Sequence, residues 1–260
     1  MNKNAIISVL AAIYILLLTP ASAGEVKDKP FDQSHGLYET VLGEYVKNGR
    51  VDYAGLKSSP GDLGLYLERT SGVSRDAFDK WTRDDQLAFL INLYNARTLD
   101  LIQNSYPVGS IKDIASDKGG PWEQPVVKLF GGTITLNALE NDVIRKNYSE
   151  PRIHFALVCA AKGCPALLDK AYLGPTLDAQ LEAQTRAFLA DADKNSIDTI
   201  NKTVRLSPLF EWFEEDFSPK SGSVIEFVNP YFDNTAGPDY KIEYTDYDWS
   251  LNGAESNKSL

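Results

Sequence analysis

Two cysteines and a histidine stand close together in the middle of the chain. His154 lies in an apolar run that ends at Cys159, and Cys164 follows five residues later. A thiol acts as a nucleophile once a base has taken its proton, and histidine commonly serves as that base. The sequence has only two histidines and two cysteines, so this segment is the best candidate for thiol chemistry, with His154 as the base. We expect the other histidine, His35, to be an ordinary surface residue.

The sequence leaves open which cysteine would be the nucleophile. If residues 152–159 form a straight strand, His154 and Cys159 lie about 16 Å apart and point to opposite faces. Either the chain bends after His154, or residues 160–163 turn back and bring Cys164 toward it. Cys164 also precedes Pro165, a residue favoured at the start of a helix, where the helix dipole would stabilise a thiolate.

Two other interpretations compete with thiol chemistry. In a secreted protein, two cysteines five positions apart commonly form a disulfide. A permanent Cys159–Cys164 disulfide would remove both thiols, whereas a labile one would be a redox-regulated resting state. A metal site made from His154 and both cysteines is a third interpretation, but the spacing matches no common zinc pattern. We predict no metal and no organic cofactor.

The elements that must position these residues alternate between helical and strand patterns. A long buried helix is predicted over residues 82–104, with Thr82 and Asp85 as its capping pair. We further predict helices at 35–47, 136–148, 176–190, 208–213 and 224–231, a hairpin at 126–135, and strands at 50–53, 152–159, 203–206 and 240–249. The fold class is therefore α+β, a single helix-rich domain with a small, mainly antiparallel sheet.

Four segments carry a resemblance to a known family. They are QLAFLINLYNA at 86–96, LNALE at 136–140, IHFALVCAAKGCP at 153–165, and Trp212 with Asp216-Phe217. Together they resemble the domain of unknown function 547 family over roughly residues 76–231. The family in turn resembles the papain-like cysteine peptidases, which implies a papain-like arrangement and a Glu, His and Cys triad. In this sequence the triad would be Glu140, His154 and either Cys159 or Cys164.

The acidic candidates also have structural interpretations. Glu140 lies on a predicted helix that leads toward His154, and it could equally be a solvated helix acid. Asp216 could orient a catalytic group, but a helix cap is its default role. Asn92 and Asn95 are more simply core amides than oxyanion donors. The four tryptophans are expected in the core or along a cleft.

The N-terminus predicts export. Lys3 precedes an apolar run at residues 5–18, which is shorter than the roughly 20 residues of a membrane span, and Ala21-Ser22-Ala23 follows. We therefore expect a signal peptide at residues 1–23, cleavage near Ala23, and a secreted or periplasmic protein without stable membrane insertion. The expected layout continues with a flexible segment at 24–34, a globular domain at 35–251 and a disordered tail at 252–260.

The net charge of the chain limits which classes of partner it can bind. The chain has 26 basic and 36 acidic residues, a formal net charge of −10, and its basic residues are scattered singly among the acids. Such a surface repels phosphate backbones, so nucleic acid is excluded and the ligand is a peptide, a protein or a small molecule. The sequence predicts an extracytoplasmic thiol-dependent hydrolase, peptidase-like or amidase-like. The alternative is a non-enzymatic binding or scaffold module stabilised by the disulfide.

Overall fold

The computed structural model describes residues 30–117 and 119–254, and only the backbone of residues 219–221. The predicted signal peptide, the segment 24–29 and the last six residues of the predicted tail lie outside this part of the chain. Within the described ranges, no helix combines the length and the apolar character that crossing a membrane requires.

A long buried helix, α5 (Arg83–Ser105), is the centre of the fold. Its N-terminus is capped as predicted, because the Thr82 hydroxyl accepts a hydrogen bond from the Asp85 amide at 3.1 Å. Apolar side chains are buried on every side of its middle turns, so the helix is enclosed by other elements. It ends where Tyr106 turns extended ahead of a proline.

Short elements cover one side of this helix. They are α1 (Gly36–Tyr45), β1 (Val46–Lys47), β2 (Arg50–Val51), α2 (Tyr53–Ser58), α3 (Gly61–Ser71) and α4 (Arg75–Phe78). Strands β1 and β2 form an antiparallel pair, and α2 and α3 both pack against α5. These elements share one hydrophobic core with α5.

The predicted hairpin and the helix after it are present. The strands are β3 (Val127–Leu129) and β4 (Gly132–Ile134), paired antiparallel. The turn uses Phe130 and Gly131, both with a left-handed backbone. Helix α6 (Leu136–Ala138) then continues as a π-helix, Leu139–Arg145. A π-helix is rare and frequently occurs at functional sites, and this one carries Glu140.

A second hydrophobic core lies in the C-terminal part of the domain. Its elements are α7 (Leu177–Leu189), β5 (Ser196–Asp198), β6 (Thr203–Leu206), α8 (Leu209–Trp212), α9 (Glu214–Ser221), α10 (Val224–Val228) and β7 (Lys241–Tyr244). The sheet order is β5-β6-β7, with β5–β6 antiparallel and β6–β7 parallel. Three of the four strand pairs of the described chain are antiparallel, so the predicted α+β class with mainly antiparallel sheets is confirmed.

The predicted strand at 152–159 is wrong. Pro151–Phe155 is a 3-10 helix, which Glu150 caps by accepting a hydrogen bond from the Arg152 amide at 3.1 Å. Buried residues follow one another without alternation from Ile153 to Val158, and a short, wholly buried run has the same apolar pattern in a strand and in a helix. The 16 Å separation expected between His154 and Cys159 therefore does not apply.

The chain after Cys164 also differs from the prediction. No helix begins at Pro165; the next helical turn is Gly174–Thr176. Tertiary contacts hold this segment in a non-helical path, because the Ala166 carbonyl accepts a hydrogen bond from the Gln184 side chain at 2.8 Å and Leu167 pairs with Gly49. The dipole of an adjoining helix thus contributes nothing at Cys164.

The last predicted strand is shorter than expected, and its continuation has a different role. Only Lys241–Tyr244 is strand, and residues 245–254, which we call the C-terminal strap, cross the loop between the two cysteines. The amides of Lys162 and Gly163 donate to strap carbonyls at 2.8 Å, and the Asn252 amide donates to the Ala160 carbonyl at 2.9 Å.

Packing reaches past both expected limits of the domain. Phe31 contacts an aromatic cluster that includes Phe89, and Asn252 is buried and accepts a hydrogen bond from the Tyr53 hydroxyl at 2.8 Å. Residues 31–34 and 252–254 are therefore part of the folded unit that begins at Phe31.

Candidate functional site

All four predicted site residues line one cleft. The cleft has a volume of about 250 Å³ and lies between α5, the π-helix, the cysteine loop, α8 and the strap. Its wall includes Tyr94, Glu140, Asn141, His154, Cys159, Cys164, Trp122, Trp212, Phe213, Tyr247 and Trp249. The structure thus brings together side chains that are far apart in sequence.

His154 is fixed in the cleft wall by a carboxylate and an aromatic ring. It is 3% exposed, its Nε2 lies 2.6 Å from Oδ2 of Asp216, and its ring stacks on Phe213 with 4.0 Å between centroids. A carboxylate only accepts hydrogen bonds, so Nε2 carries the proton and Nδ1 is the basic nitrogen of the neutral ring. This tautomer is the one a general base needs.

Asp216 is the acid that contacts His154, and it does not cap a helix. The N-cap residue of α9 is Phe213, and no side chain forms a capping hydrogen bond there. The prediction that Asp216 caps a helix is therefore wrong. Burial acts to raise the pKa of Asp216, but hydrogen bonds from His154 and from Arg145, at 2.6 Å each, outweigh it and lower the pKa to about 2. Asp216 is therefore ionised near neutral pH.

Glu140 shares the cleft with His154 but has a different environment. Burial raises the pKa of its carboxyl, although the charge of His154 and the hydroxyl of Tyr94 act in the opposite direction. Its interaction with Tyr94 on α5 holds it against the cleft wall, unlike a solvated helix acid. The two carboxyl groups thus differ, since Asp216 is ionised readily and Glu140 retains a proton more readily than usual.

Cys159 and Cys164 are joined by a disulfide, with their Cα atoms 6.2 Å apart. The loop reverses at Ala160, which has a left-handed backbone. Cys164 is 4% exposed, whereas Cys159 is only partly buried. The Tyr247 hydroxyl of the strap lies 3.1 Å from Sγ of Cys164 and 3.2 Å from Sγ of Cys159. The loop does turn back, and both sulfurs line the same cleft as His154.

Tryptophans form the opposite wall, as expected for cleft-lining residues. Trp212 stacks on Trp249 with 5.8 Å between centroids, and Trp122 meets Trp249 edge to face. Trp212 remains 44% exposed, so an aromatic surface faces the solvent beside the disulfide. Trp81 lies elsewhere, in the cluster that contains Phe31.

The amides of α5 are structural, as predicted. The Asn95 side chain donates to the Ala156 carbonyl and accepts from the Val158 amide, both at 2.9 Å. The Asn92 side chain likewise donates to the Tyr172 carbonyl and accepts from the Tyr172 amide. Asn95 thereby fixes the segment that joins His154 to Cys159.

The expected surface position of His35 is wrong. His35 is 3% exposed, and its Nδ1 lies 2.8 Å from the Tyr66 hydroxyl. Burial lowers its pKa to about 4, although Asp32 and Asp85 act to raise it. His35 lies among Phe31, Tyr66 and Phe89, and its polar neighbours in sequence give no sign of this cluster.

Sequence reasoning did not single out Tyr247, Phe213 or the strap. Their roles depend on contacts across 59 to 88 positions, and no motif marks them. In the described part of the chain, no group of three or more His, Cys, Asp or Glu side chains is arranged to hold a metal ion.

No curated protein and no solved structure matches the chain. The papain-like arrangement therefore stays a prediction. One family model matches, over residues 78–189, and that span contains Glu140, His154 and both cysteines but not Asp216 or Tyr247. The resemblance found in the sequence is confirmed over residues 78–189, which match the model of the family described as protein of unknown function, DUF547.

Proposed function

We propose that the protein is an extracytoplasmic thiol-dependent hydrolase, peptidase-like or amidase-like, whose resting state is the Cys159–Cys164 disulfide. One observation carries the proposal: the disulfide shares a cleft with His154, whose ring is held by an ionised Asp216. A structural disulfide has no need of a histidine base, an orienting carboxylate and an open cleft. A masked nucleophile needs all three.

The chemistry begins with reduction of the disulfide. An external dithiol is oxidised to its own disulfide, and its two electrons and two protons convert Cys159 and Cys164 to thiols. His154 Nδ1 then takes the proton of one thiol, and the thiolate attacks the carbonyl carbon of an ester or amide. The alcohol or amine leaves with the proton from the imidazolium, which gives a thioester. Water, deprotonated by His154, hydrolyses the thioester and restores the thiol.

The environment of the site limits the substrate. His154 is the only basic side chain among the cleft-lining residues described, and Trp212 and Trp249 give the cleft an apolar aromatic wall. We infer a neutral acyl compound or peptide as the ligand, because most of the cleft wall is apolar or aromatic and the protein has a net charge of −10.

The second candidate is a secreted binding module stabilised by the disulfide. The observation in its favour is that neither cysteine is free. In this case the aromatic wall would hold a ligand, and His154 would be a structural residue paired with Asp216.

Counting thiols and measuring hydrolysis on the same sample separates the two candidates. The protein is treated with mild dithiol, its alkylated cysteines are counted by intact mass, and a panel of fluorogenic esters and amides is assayed before and after reduction. We expect two native-state thiols after mild reduction and hydrolysis only in the reduced sample, lost in H154A. A disulfide that resists reduction until the protein is unfolded would overturn the hydrolase proposal in favour of the binding module.

Export has its own test. After expression of the full chain in a bacterial host, we expect the extracytoplasmic fraction to contain a protein that begins at Gly24. Full-length protein confined to the cytoplasm would contradict this part of the proposal.

A further inference from the structure

The two sulfurs of the cleft are not equivalent. Sγ of Cys164 lies 3.0 Å from the backbone amide of Cys159, which donates to it, and 3.1 Å from the Tyr247 hydroxyl. Sγ of Cys159 is 3.2 Å from the same hydroxyl, has no backbone donor among the contacts of the described residues, and is less buried. Hydrogen bonds to a sulfur stabilise its thiolate form over its thiol form.

From this asymmetry we propose that Cys164 is the reactive thiol of the reduced protein, and that Tyr247 of the C-terminal strap is the positioning residue that stabilises its thiolate. The proposal rests on the proposed function for its use in catalysis, but the property it assigns to Cys164 can be measured without turnover.

Tyr247 would meet a thiolate at this position as a hydrogen-bond donor. Burial raises the pKa of its phenol well above the ordinary value, so the hydroxyl keeps its proton at neutral pH. A thiolate that forms 3.1 Å away therefore meets an O–H group and not a second negative charge.

The charged groups around Cys164 also favour its thiolate form on balance. Nζ of Lys194 lies 3.3 Å from the Cys164 carbonyl and is itself paired with Asp191 at 3.0 Å. His154 and Glu140 line the same cleft as the sulfurs, and burial favours the neutral form of Glu140. A nearby ammonium group favours a thiolate, and a carboxyl that resists ionisation adds no negative charge to oppose it.

The strap holds Tyr247 in place against the loop. The Gly163 amide donates to the Asp248 carbonyl at 2.8 Å, and the Tyr247 ring covers Gly163 so closely that a Cβ at this position would lie 2.9 Å from a ring carbon. The ring also packs against Trp249, with 4.6 Å between centroids. Because the strap lies outside residues 78–189, the family segment contains the cysteines but not the hydroxyl that lies beside both sulfurs.

The same asymmetry predicts the course of reduction. A thiolate of the dithiol attacks Sγ of the more accessible Cys159 and forms a mixed disulfide, while the bond to Cys164 breaks and the electron pair leaves on Cys164 Sγ. The amide of Cys159 and the hydroxyl of Tyr247 stabilise this leaving group. The second thiol of the dithiol then releases Cys159.

The test is the pH dependence of alkylation for each cysteine, mapped by peptide mass in the fully reduced wild type, Y247F and Y244F. Tyr244 is a matched control, because it immediately precedes the strap but is partly exposed and contacts neither sulfur. Loss of one hydrogen bond to a charged group should raise the apparent pKa of Cys164 by about one unit in Y247F, with about tenfold slower alkylation at neutral pH. Y244F should match the wild type.

An unchanged Cys164 profile in Y247F, or a lower apparent pKa for Cys159 than for Cys164, would overturn the proposal. Cys159 in the same molecule reports any general loosening, since unfolding would make both thiols react alike. A low pKa at Cys164 without hydrolysis of any substrate would support this inference and contradict the proposed function. Hydrolysis by a protein whose Cys164 pKa is unchanged in Y247F would support the proposed function and contradict this inference.

Discussion

The two histidines of this protein are equally buried and yet chemically opposite. His35 and His154 are each 3% exposed. His35 has a neutral partner, the Tyr66 hydroxyl, and lies in a closed aromatic cluster. His154 has an ionised partner, Asp216, and borders an open cleft.

This difference shows that burial alone does not make a histidine chemically useful. Because no carboxylate of the described residues contacts the His35 ring, burial outweighs the charges of Asp32 and Asp85, lowers the pKa of His35 to about 4 and leaves a neutral ring at physiological pH. A carboxylate at 2.6 Å gives His154 a defined tautomer and a counter-ion for its protonated form. Whether a buried histidine can act in catalysis thus depends on the charge of its partner and on its access to solvent.

Replacing each histidine in turn tests this comparison most strongly. In the reduced protein, H154A should lower the hydrolytic kcat/KM by about 1,000-fold, because it removes the general base. H35N should stay within about twofold of wild type once folding is matched, since base catalysis needs access to substrate that His35 lacks. Steady-state kinetics on the best fluorogenic substrate decide the matter, and equal losses in both variants would refute the distinction.

For the loss of folding stability in acid, we expect the larger effect to come from His35 and not from His154. Because the folded-state pKa of His35 is below its ordinary 6.5, its contribution to stability is complete above about pH 6.5 and is lost as the pH falls toward 4. The loss should amount to about 3 kcal/mol in the free energy of unfolding. Denaturant titrations between pH 7.5 and 4 should show this loss in the wild type and in H154A.

The matched variant for that measurement is H35N, because asparagine tolerates the left-handed backbone of position 35 and has no titrating group. H35N should begin about 1 kcal/mol less stable at pH 7.5, owing to the lost Tyr66 hydrogen bond, and should decline less steeply with acid. Parallel curves for H35N and wild type would mean that His35 does not titrate as its burial requires.

The partner of His154 can be changed without changing its shape. D216N should lower kcat by about 100-fold, because an amide neither fixes the Nε2 tautomer nor supports the imidazolium. A change in KM smaller than the change in kcat would assign Asp216 to chemistry and not to binding. Wild-type kcat in D216N would indicate that Glu140 or another group orients the ring.

Reduction of the disulfide is expected to have only a modest effect on stability. The linked cysteines are five positions apart, so the cross-link removes little chain entropy and contributes at most about 2 kcal/mol. Denaturant unfolding with and without reductant should give a modest shift and a folded reduced state. If reduction unfolded the protein, the disulfide would be structural and the thiol proposal would fail.

Much of the fold was accessible from local patterns. The capped apolar helix at 83–105, the hairpin at 127–134 and the helix at 177–189 agree with the predicted elements, because periodicity and capping act over neighbouring residues. The segment at 152–159 was mispredicted, because a wholly buried run has no alternation to distinguish a strand from a 3-10 turn.

The sequence by itself determined which side chains are available for chemistry and which segments form the scaffold. Two histidines, two cysteines and the family motifs were enough to select Glu140, His154, Cys159 and Cys164, all of which line one cleft. Only the tertiary structure decided their partners. Asp216 reaches His154 across 62 positions and Tyr247 reaches Cys164 across 83, and such contacts depend on how helices and the strap pack, which no local pattern encodes.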